Sequence, residues 1–356
     1  MTTKDASTVA VVKGPDRYQN IREVLALLGD KAVFGKKHVI KPNFVSTNVQ
    51  LAATHREAVR AVVDFLRQQT GHSVIIAEGA AASDTFKGYE RFGFMGLAET
   101  YGNVEFRDLN RDAHEIVTLY DQELRPQSFR LAKTVWESDH RISLAIPKTH
   151  DAALVTLSLK NMVVGSLIRD TGCNLVNLVG GLSDQLIKLV PSWLKSLFTF
   201  QGLSRVGITK ISGSDKVRLH RGYLNLHLFL YQLVRIIPPH LCILDGFTAM
   251  EGNGPVSGDR VDWHIAIAGT DGVAVDTVAA YLMGFDPQSI GYLYFCSQDG
   301  LGEGDINKIK IIGQPLEECM HIFRPHHSYQ AQLSWKKKGE AVFKKLRECL
   351  DDKNCI

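Results

Sequence analysis

Residues 38–79 open with His38-Val-Ile-Lys-Pro-Asn43, continue through Thr54-His-Arg-Glu57 and close with Ser73-Val-Ile-Ile-Ala-Glu-Gly79. The first and last pieces are short apolar runs that stop at polar residues, as strands do at their ends. Between them, Thr54-His-Arg-Glu57 has the spacing of a capping box. It leads into Val59, Val62, Val63 and Leu66, which share one helical face. The unit therefore reads strand, helix, strand. On its N-terminal side Thr8–Val12 reads as a strand, and Ile21, Val24, Leu25 and Leu28 as a helix face. On its C-terminal side Arg141–Ile146 is a strand ending at Pro147-Lys148, and Tyr223–Ile237 is apolar all round, hence a buried helix. Leu241–Leu244 and Trp263–Ala268 follow as strands, Val273–Met283 as a helix closed by Gly284, and Lys308–Ile312 as a last strand. This alternation predicts an α/β fold of two lobes, with mainly parallel sheets covered by helices and a cleft between them. The expected division is an N-terminal lobe over 1–145, a C-terminal lobe over 146–323 and a helical tail over 324–356, where Lys336–Arg347 is a basic amphipathic helix.

The composition narrows the function classes. A 356-residue chain that is 45% apolar and 22% charged is too hydrophobic for a disordered chain and lacks any fibrous repeat. Its net charge of +3 argues against nucleic acid as a partner. The six cysteines contain no C-x-x-C pair, so no zinc ribbon or iron–sulfur cluster is expected. Scattered thiols fit a reducing compartment, and Met1–Gly14 has no signal-peptide core. The uncharged runs Thr171–Ser183 and Gly222–Val234 fall short of the ~18 residues of a membrane span. A cytoplasmic protein is expected. Asn174–Phe200 stands apart, rich in Leu, Val, Trp and Phe and broken by Gly180-Gly181 and Pro191. It reads as a helical hairpin on the core, a mobile cover over the cleft, a homodimer contact or a peripheral membrane patch.

Ligands of open α/β sheets lie beyond the carboxyl ends of the strands. Here those ends turn polar together: Lys41 and Asn43, then Glu78, then Lys148, Thr149 and His150, then Asp245, Glu251 and Asn253, then Thr270 and Asp271. One shared cavity is the expectation. Lys41, Lys148 and Lys160 suit a small anion. His150 and His220 suit acid–base work near neutral pH. Lys160 is the only charge in Ala152–Met162; buried, it would be a base or a point of covalent attachment, and otherwise a lysine that snorkels to water. Asp245 to Pro255 contains Gly252-Asn-Gly254, but Pro255 and a strand follow, so it is no dinucleotide fingerprint. Its backbone at Gly252 and Gly254 could cradle an anion, and Asp245, Asn253 and Asp271 could hold a divalent metal. A tight glycine turn is the competing reading. Asp276, in an apolar helix, needs a buried partner. The expected catalytic set is His150, Lys160 and Glu251, with Lys41, Asn43, Glu78, Lys148 and Asn161 beside them as ligand-binding residues.

Together these segments resemble domain-of-unknown-function family 362. The resemblance rests on Lys41-Pro-Asn43, Glu78-Gly79, Pro147-Lys-Thr-His150, Thr156-Leu-Ser-Leu-Lys-Asn161, the Ala249-Met-Glu-Gly-Asn-Gly-Pro255 core, Ala268-Gly-Thr-Asp271 with Ala274-Val-Asp276, and Gly300-Leu-Gly-Glu-Gly304. It runs from about Thr8 to Phe323. Many members carry a fused ferredoxin module, whose C-x-x-C runs this chain lacks. A fainter similarity is to the nickel-pincer lactate racemases, which place a histidine ten residues before a pincer-binding lysine, as His150 and Lys160 are spaced. The function expected is an enzyme that acts on a carboxylate or phosphate by acid–base chemistry, metal-assisted or not. Its alternative is a non-catalytic module or redox partner docking on a separate iron–sulfur protein.

Overall fold

Alternate residues of each strand are buried in opposite directions, and this builds the molecule. Val9 and Val11 join one apolar cluster while Ala10 and Val12 join another; Val39 and Ile40 divide in the same way. A sheet buried on both faces needs helices on both, and the chain supplies them. The computed structural model describes residues 6–170 and 214–351. Its strands are β1 (Thr8–Lys13), β2 (His38–Lys41), β3 (Val74–Glu78), β4 (Val104–Asp108), β5 (His114–Tyr120), β6 (Pro126–Ala132), β7 (His140–Ala145), β8 (Lys148–His150), β9 (Leu154–Thr156), β10 (Leu241–Glu251), β11 (Asp259–Gly269) and β12 (Lys310–Gly313).

The main sheet runs β12-β1-β11-β10-β7-β2-β3-β4, with β8 and β9 branching from the far end of β10. The α/β class is as expected, and strands from both halves of the chain share this sheet, because β10 pairs in parallel with β7. Along the path, β11 alone is antiparallel to its neighbours. Its carboxyl end therefore lies with the amino ends of the other strands, with Gly269 opposite Cys242 and Val9. One face carries helices Arg17–Leu28 and Arg56–Gln69; the other carries Ser158–Gly165, Tyr223–Ile236 and Gly272–Leu282. The β5–β6 hairpin, not expected from the sequence, packs its Phe129 on Phe229 of helix Tyr223–Ile236. The tail forms the expected helix, Lys336–Asp351, which is docked through Gly339, Phe343 and Leu346. Asn174–Phe200 lies outside the described residues. Among those residues no helix is long and apolar enough to cross a membrane.

The capping box is not used as expected. His55 caps helix Arg56–Gln69, its ring accepting from the Glu57 amide. Thr54 is fully buried instead: its hydroxyl accepts from the Asn43 amide at 2.8 Å and donates to the Leu144 carbonyl at 2.9 Å. The residue that reads as a helix signal ties the end of β2 to β7.

Candidate active site

The end of β2 turns a lysine into the protein. Lys41 is fully buried, and its ammonium donates to Glu78 Oε2 at 2.6 Å, to the Pro42 carbonyl at 2.9 Å and to Asn161 Oδ1 at 3.1 Å. These contacts use all three of its N–H donors. Burial lowers its pKa, and Glu78 works against that fall. Asn161 also accepts from Asn43 Nδ2 at 3.0 Å, while its own amide donates to the Lys41 carbonyl and to Ser143 Oγ. Lys148, on β8, donates to Asn43 Oδ1 and to the Ala52 carbonyl. Burial, helped by the charge on Lys160, brings Lys148 down to about 7. Lys41, Asn43, Glu78, Lys148 and Asn161 thus form one network.

The second half of the site is a histidine–lysine pair. Lys160 lies on helix Ser158–Gly165 and is 7% exposed, so it does not snorkel to water. Its Nζ sits 3.1 Å from His150 Nε2. Burial lowers Lys160 to about 8, and burial together with the Lys160 charge lowers His150 to about 4. On the far side of the ring, Asp151 Oδ1 lies 3.0 Å from His150 Nδ1, and the amides of Ala152 and Ala153 also point at that nitrogen, at 3.0 and 3.3 Å. Burial acts to raise the Asp151 carboxyl, but His150, His220 and His326 bring it down to about 2. The two amides that donate to Nδ1 make it an acceptor, which puts the ring's proton on Nε2, facing Lys160 Nζ; Asp151 Oδ1 lies close to the ring but has no hydrogen-bond partner.

Both halves open on a cavity of about 40 Å³ lined by Glu78, His150, Thr156, Lys160, Lys216 and His220, among others. Two larger depressions, of about 540 Å³ beside Pro238 and Asp271 and about 730 Å³ along the C-terminal helix, do not gather buried titratable groups. His220 stacks on His150 with ring centroids 5.8 Å apart, and its Nδ1 bonds the Lys216 carbonyl at 2.7 Å.

Asp276 holds the lysine helix in place. Its two oxygens accept from the amides of Ser158 at 2.8 Å and Leu159 at 3.0 Å, the start of the helix that carries Lys160 and Asn161. Its partners are backbone and the Tyr292 hydroxyl at 3.4 Å, not a lysine or histidine. Burial raises its carboxyl to about 7.

Several expected members lie elsewhere. Asp271 caps helix Gly272–Leu282 and accepts from Ser7 and from the Glu303 amide. The reversal of β11 carries it to the opposite end of the sheet from Lys148. Asp245 is buried but pairs with Arg17 at 3.1 Å. Glu251 accepts from the Arg324 amide at 2.9 Å and does not reach His150, and Asn253 meets His327 at the surface. The expected metal set is therefore dispersed, and no metal-competent group of His, Cys, Asp and Glu occurs among the described residues. The amides of Gly252 and Gly254 are spent on the carbonyls of Arg324 and Gly252, so they do not cradle an anion. This loop is a packing piece. Thr149 Oγ1 donates to the Gly252 carbonyl, and any Cβ on Gly254 would fall 2.1 Å from the Thr149 carbonyl oxygen. Only glycine allows that approach.

Sequence reasoning missed Lys216, Asp151 and the tail. Lys216 is 1% exposed and bonds the Gly79 carbonyl and Asn110 Oδ1; burial takes it to about 7. It sits in the polar run Ser214-Asp-Lys, which carries no local sign of burial. Asp151 adjoins His150 in sequence, a signal that was available. From the tail, Gln332 donates to the His150 carbonyl at 2.8 Å and accepts the Leu154 amide at 2.6 Å, and Ser328 donates to the Asp151 carbonyl. His326, lowered to about 4 by burial, approaches Asp151.

Residues 39–281 match the family described as Domain of unknown function (DUF362). The chain belongs to this family. The matched span holds every residue of the lysine–histidine network from Lys41 to Asp276 and leaves out Gln332 and His326. The DUF362 chain is 25% identical over 290 residues to the Thylakoid-associated protein sll1697 of Synechocystis sp., covering 80% of this chain and 74% of that one. Among solved structures it is similar to the lactate racemase apoprotein from Thermoanaerobacterium thermosaccharolyticum, with a TM-score of 0.43 at 14% identity over 79% of this chain. It is also similar to a protein of Thermotoga maritima, with a TM-score of 0.41 at 13% identity over 73% of this chain. The chain spans 58% and 57% of the lengths of those two structures.

Proposed function

We propose that this DUF362 protein is an enzyme that moves a proton on a small anionic substrate, with Lys160 and His150 as the acid–base pair. The observation that carries the reading is the buried Lys160 amine, 3.1 Å from His150 Nε2, with both residues lining the cavity. A neutral Lys160 amine takes a proton from the substrate. The resulting ammonium is favoured by the nearby Asp151 carboxylate. Return of the proton reverses the change. A base near 8 works well at neutral pH, because its two protonation states are both accessible there. Lys148 and Lys216 draw the substrate's negative charge into the cavity, while Lys41 is held by Glu78. The reading places the protein in the cytoplasm, where Cys242, Cys296 and Cys319 stay reduced, and it assigns no metal to Asp245, Asn253 and Asp271.

The test is solvent proton exchange. A panel of small carboxylates and phosphates is incubated with the protein in D₂O, and loss of carbon-bound proton signals is followed by NMR. The wild type should exchange at least one member. Lys160→Met and His150→Gln should fall by 10²-fold or more, the usual contribution of a positioned acid–base group. Exchange that survives both substitutions would end the assignment.

A further inference from the structure

Among the described residues four lysine ammoniums are buried: Lys41 and Lys148 at 0% exposure, Lys216 at 1% and Lys160 at 7%. The carboxylates buried among them are Glu78 and Asp151. Asp108, the other carboxylate near Lys216, is engaged by Thr85 at 2.7 Å and Arg111 at 3.5 Å. When every group is ionised, the cluster carries two positive charges more than its carboxylates neutralise. Buried charge without a counter-charge is costly and needs a reason.

The hydrogen-bond inventory points the same way. A lysine ammonium has three donors. Lys41 spends all three, whereas Lys148 and Lys216 each have two acceptors and Lys160 has one. Among the described residues this leaves one N–H on Lys148, one on Lys216 and two on Lys160 unspent. Thr156, 2% exposed and lining the cavity, has a hydroxyl with no partner. The unspent donors of Lys160 and Lys216 and the Thr156 hydroxyl line a space of about 40 Å³, and the other two buried lysines stand in the network behind it. A water position needs ~10–15 Å³, so this space takes an ionic head of about three or four heavy atoms and no more.

We infer that the cavity takes a tetrahedral dianion, the phosphoryl head of a small phosphate monoester, with the remainder of the molecule outside. A carboxylate brings one charge and two oxygens. A phosphoryl group brings close to two charges and three acceptor oxygens, which matches both the surplus and the unspent donors. Lys160 and Lys216 would grip it from two sides, with Thr156 on a third oxygen. This deepens the anionic-substrate reading and rests on it.

The experiment is titration calorimetry of the full chain at constant ionic strength and pH 7 with inorganic phosphate, glycerol phosphate and lactate. Both phosphates should bind at least tenfold more tightly than lactate. Glycerol phosphate tighter than inorganic phosphate identifies an ester, and the reverse identifies the free ion; either supports the dianion. Lys216→Met should lower phosphate affinity tenfold or more while changing lactate affinity less, and Thr156→Val should lower it about three- to tenfold. If Lys216→Met does not fold, Thr156→Val carries the variant arm. Lactate binding as tightly as phosphate, or variants that leave phosphate affinity unchanged, would overturn the dianion and leave an anionic-substrate enzyme standing. No binding of any of the three would remove both.

Discussion

Gly165→Ala should unsettle the site without touching a charged residue. Gly165 ends the lysine helix, and a Cβ built there would lie 2.0 Å from Lys41 Cε and 2.1 Å from its Nζ. Lys41 cannot step aside freely, since its ammonium is fixed by Glu78, Asn161 and the Pro42 carbonyl and has no route to water. The methyl must therefore stretch or break the Lys41–Glu78 pair. Breaking a buried pair costs roughly 3–5 kcal/mol, and replacing glycine by alanine in a helix returns at most about 1 kcal/mol. The net loss should be about 2–4 kcal/mol, which at roughly 2–4 °C per kcal/mol lowers Tm by about 5–15 °C. Differential scanning calorimetry measures it. The cause is isolated with Lys41→Leu, whose side chain stops at the level of Cδ, 3.5 Å from the added methyl. In that background Gly165→Ala should cost little more, giving a coupling well above the ~0.5 kcal/mol expected of independent sites. A Gly165→Ala protein within 1–2 °C of wild type (about the range of a neutral surface change), or strict additivity with Lys41→Leu, would show that Lys41 is not fixed as described.

Asp276→Asn leaves one of the Ser158 and Leu159 amides without an acceptor and should cost about 1–3 kcal/mol in urea unfolding. Its carboxyl titrates near 7 in the folded protein and below that when unfolded, so the folded state holds the extra proton between. Stability should fall as pH rises from about 4 to about 7 and level off above it, and the variant should lose that part of the slope; an identical slope would refute the burial argument. Anion affinity should drop at least tenfold from pH 7 to pH 9, because Lys148 and Lys216, both near 7, must be charged in the complex. A flat profile would mean that these lysines do not meet the ligand. Gln332→Leu removes the tail's bonds to His150 and Leu154. It should speed amide exchange at Leu154 well above that of Leu228 in the buried helix, and equal protection would show that the tail does not hold the loop.

The α/β class and most element positions were legible because apolar period and polar strand ends are local properties. Ile21, Val24, Leu25 and Leu28 face the core together, and Tyr223–Ile236 is buried nearly all round. The lysine–histidine network was legible for a related reason: Lys41 and Glu78 end parallel strands, and Lys148 and His150 lie on the short strand just past the end of β7, so these residues meet at one edge. Direction was not legible. A strand pattern is the same read either way, and the reversal of β11, which moves Asp271 to the other edge, depends on how β10 and β11 pair. The same limit hid the role of Thr54, whose hydroxyl serves a strand end instead of the helix it precedes.

Residue types and their spacing established that lysines, a histidine and a carboxylate stand at strand ends of an α/β protein. Folding chose which of them meet. It drew Lys216 from a polar run and Gln332 from the tail, and it sent Asp245 to Arg17 and Glu251 to Arg324. The physical reason is that a buried charge or polar group must be satisfied by partners in space. Those partners here lie as far as 228 residues away, as Arg17 does from Asp245, a distance over which local sequence carries no information.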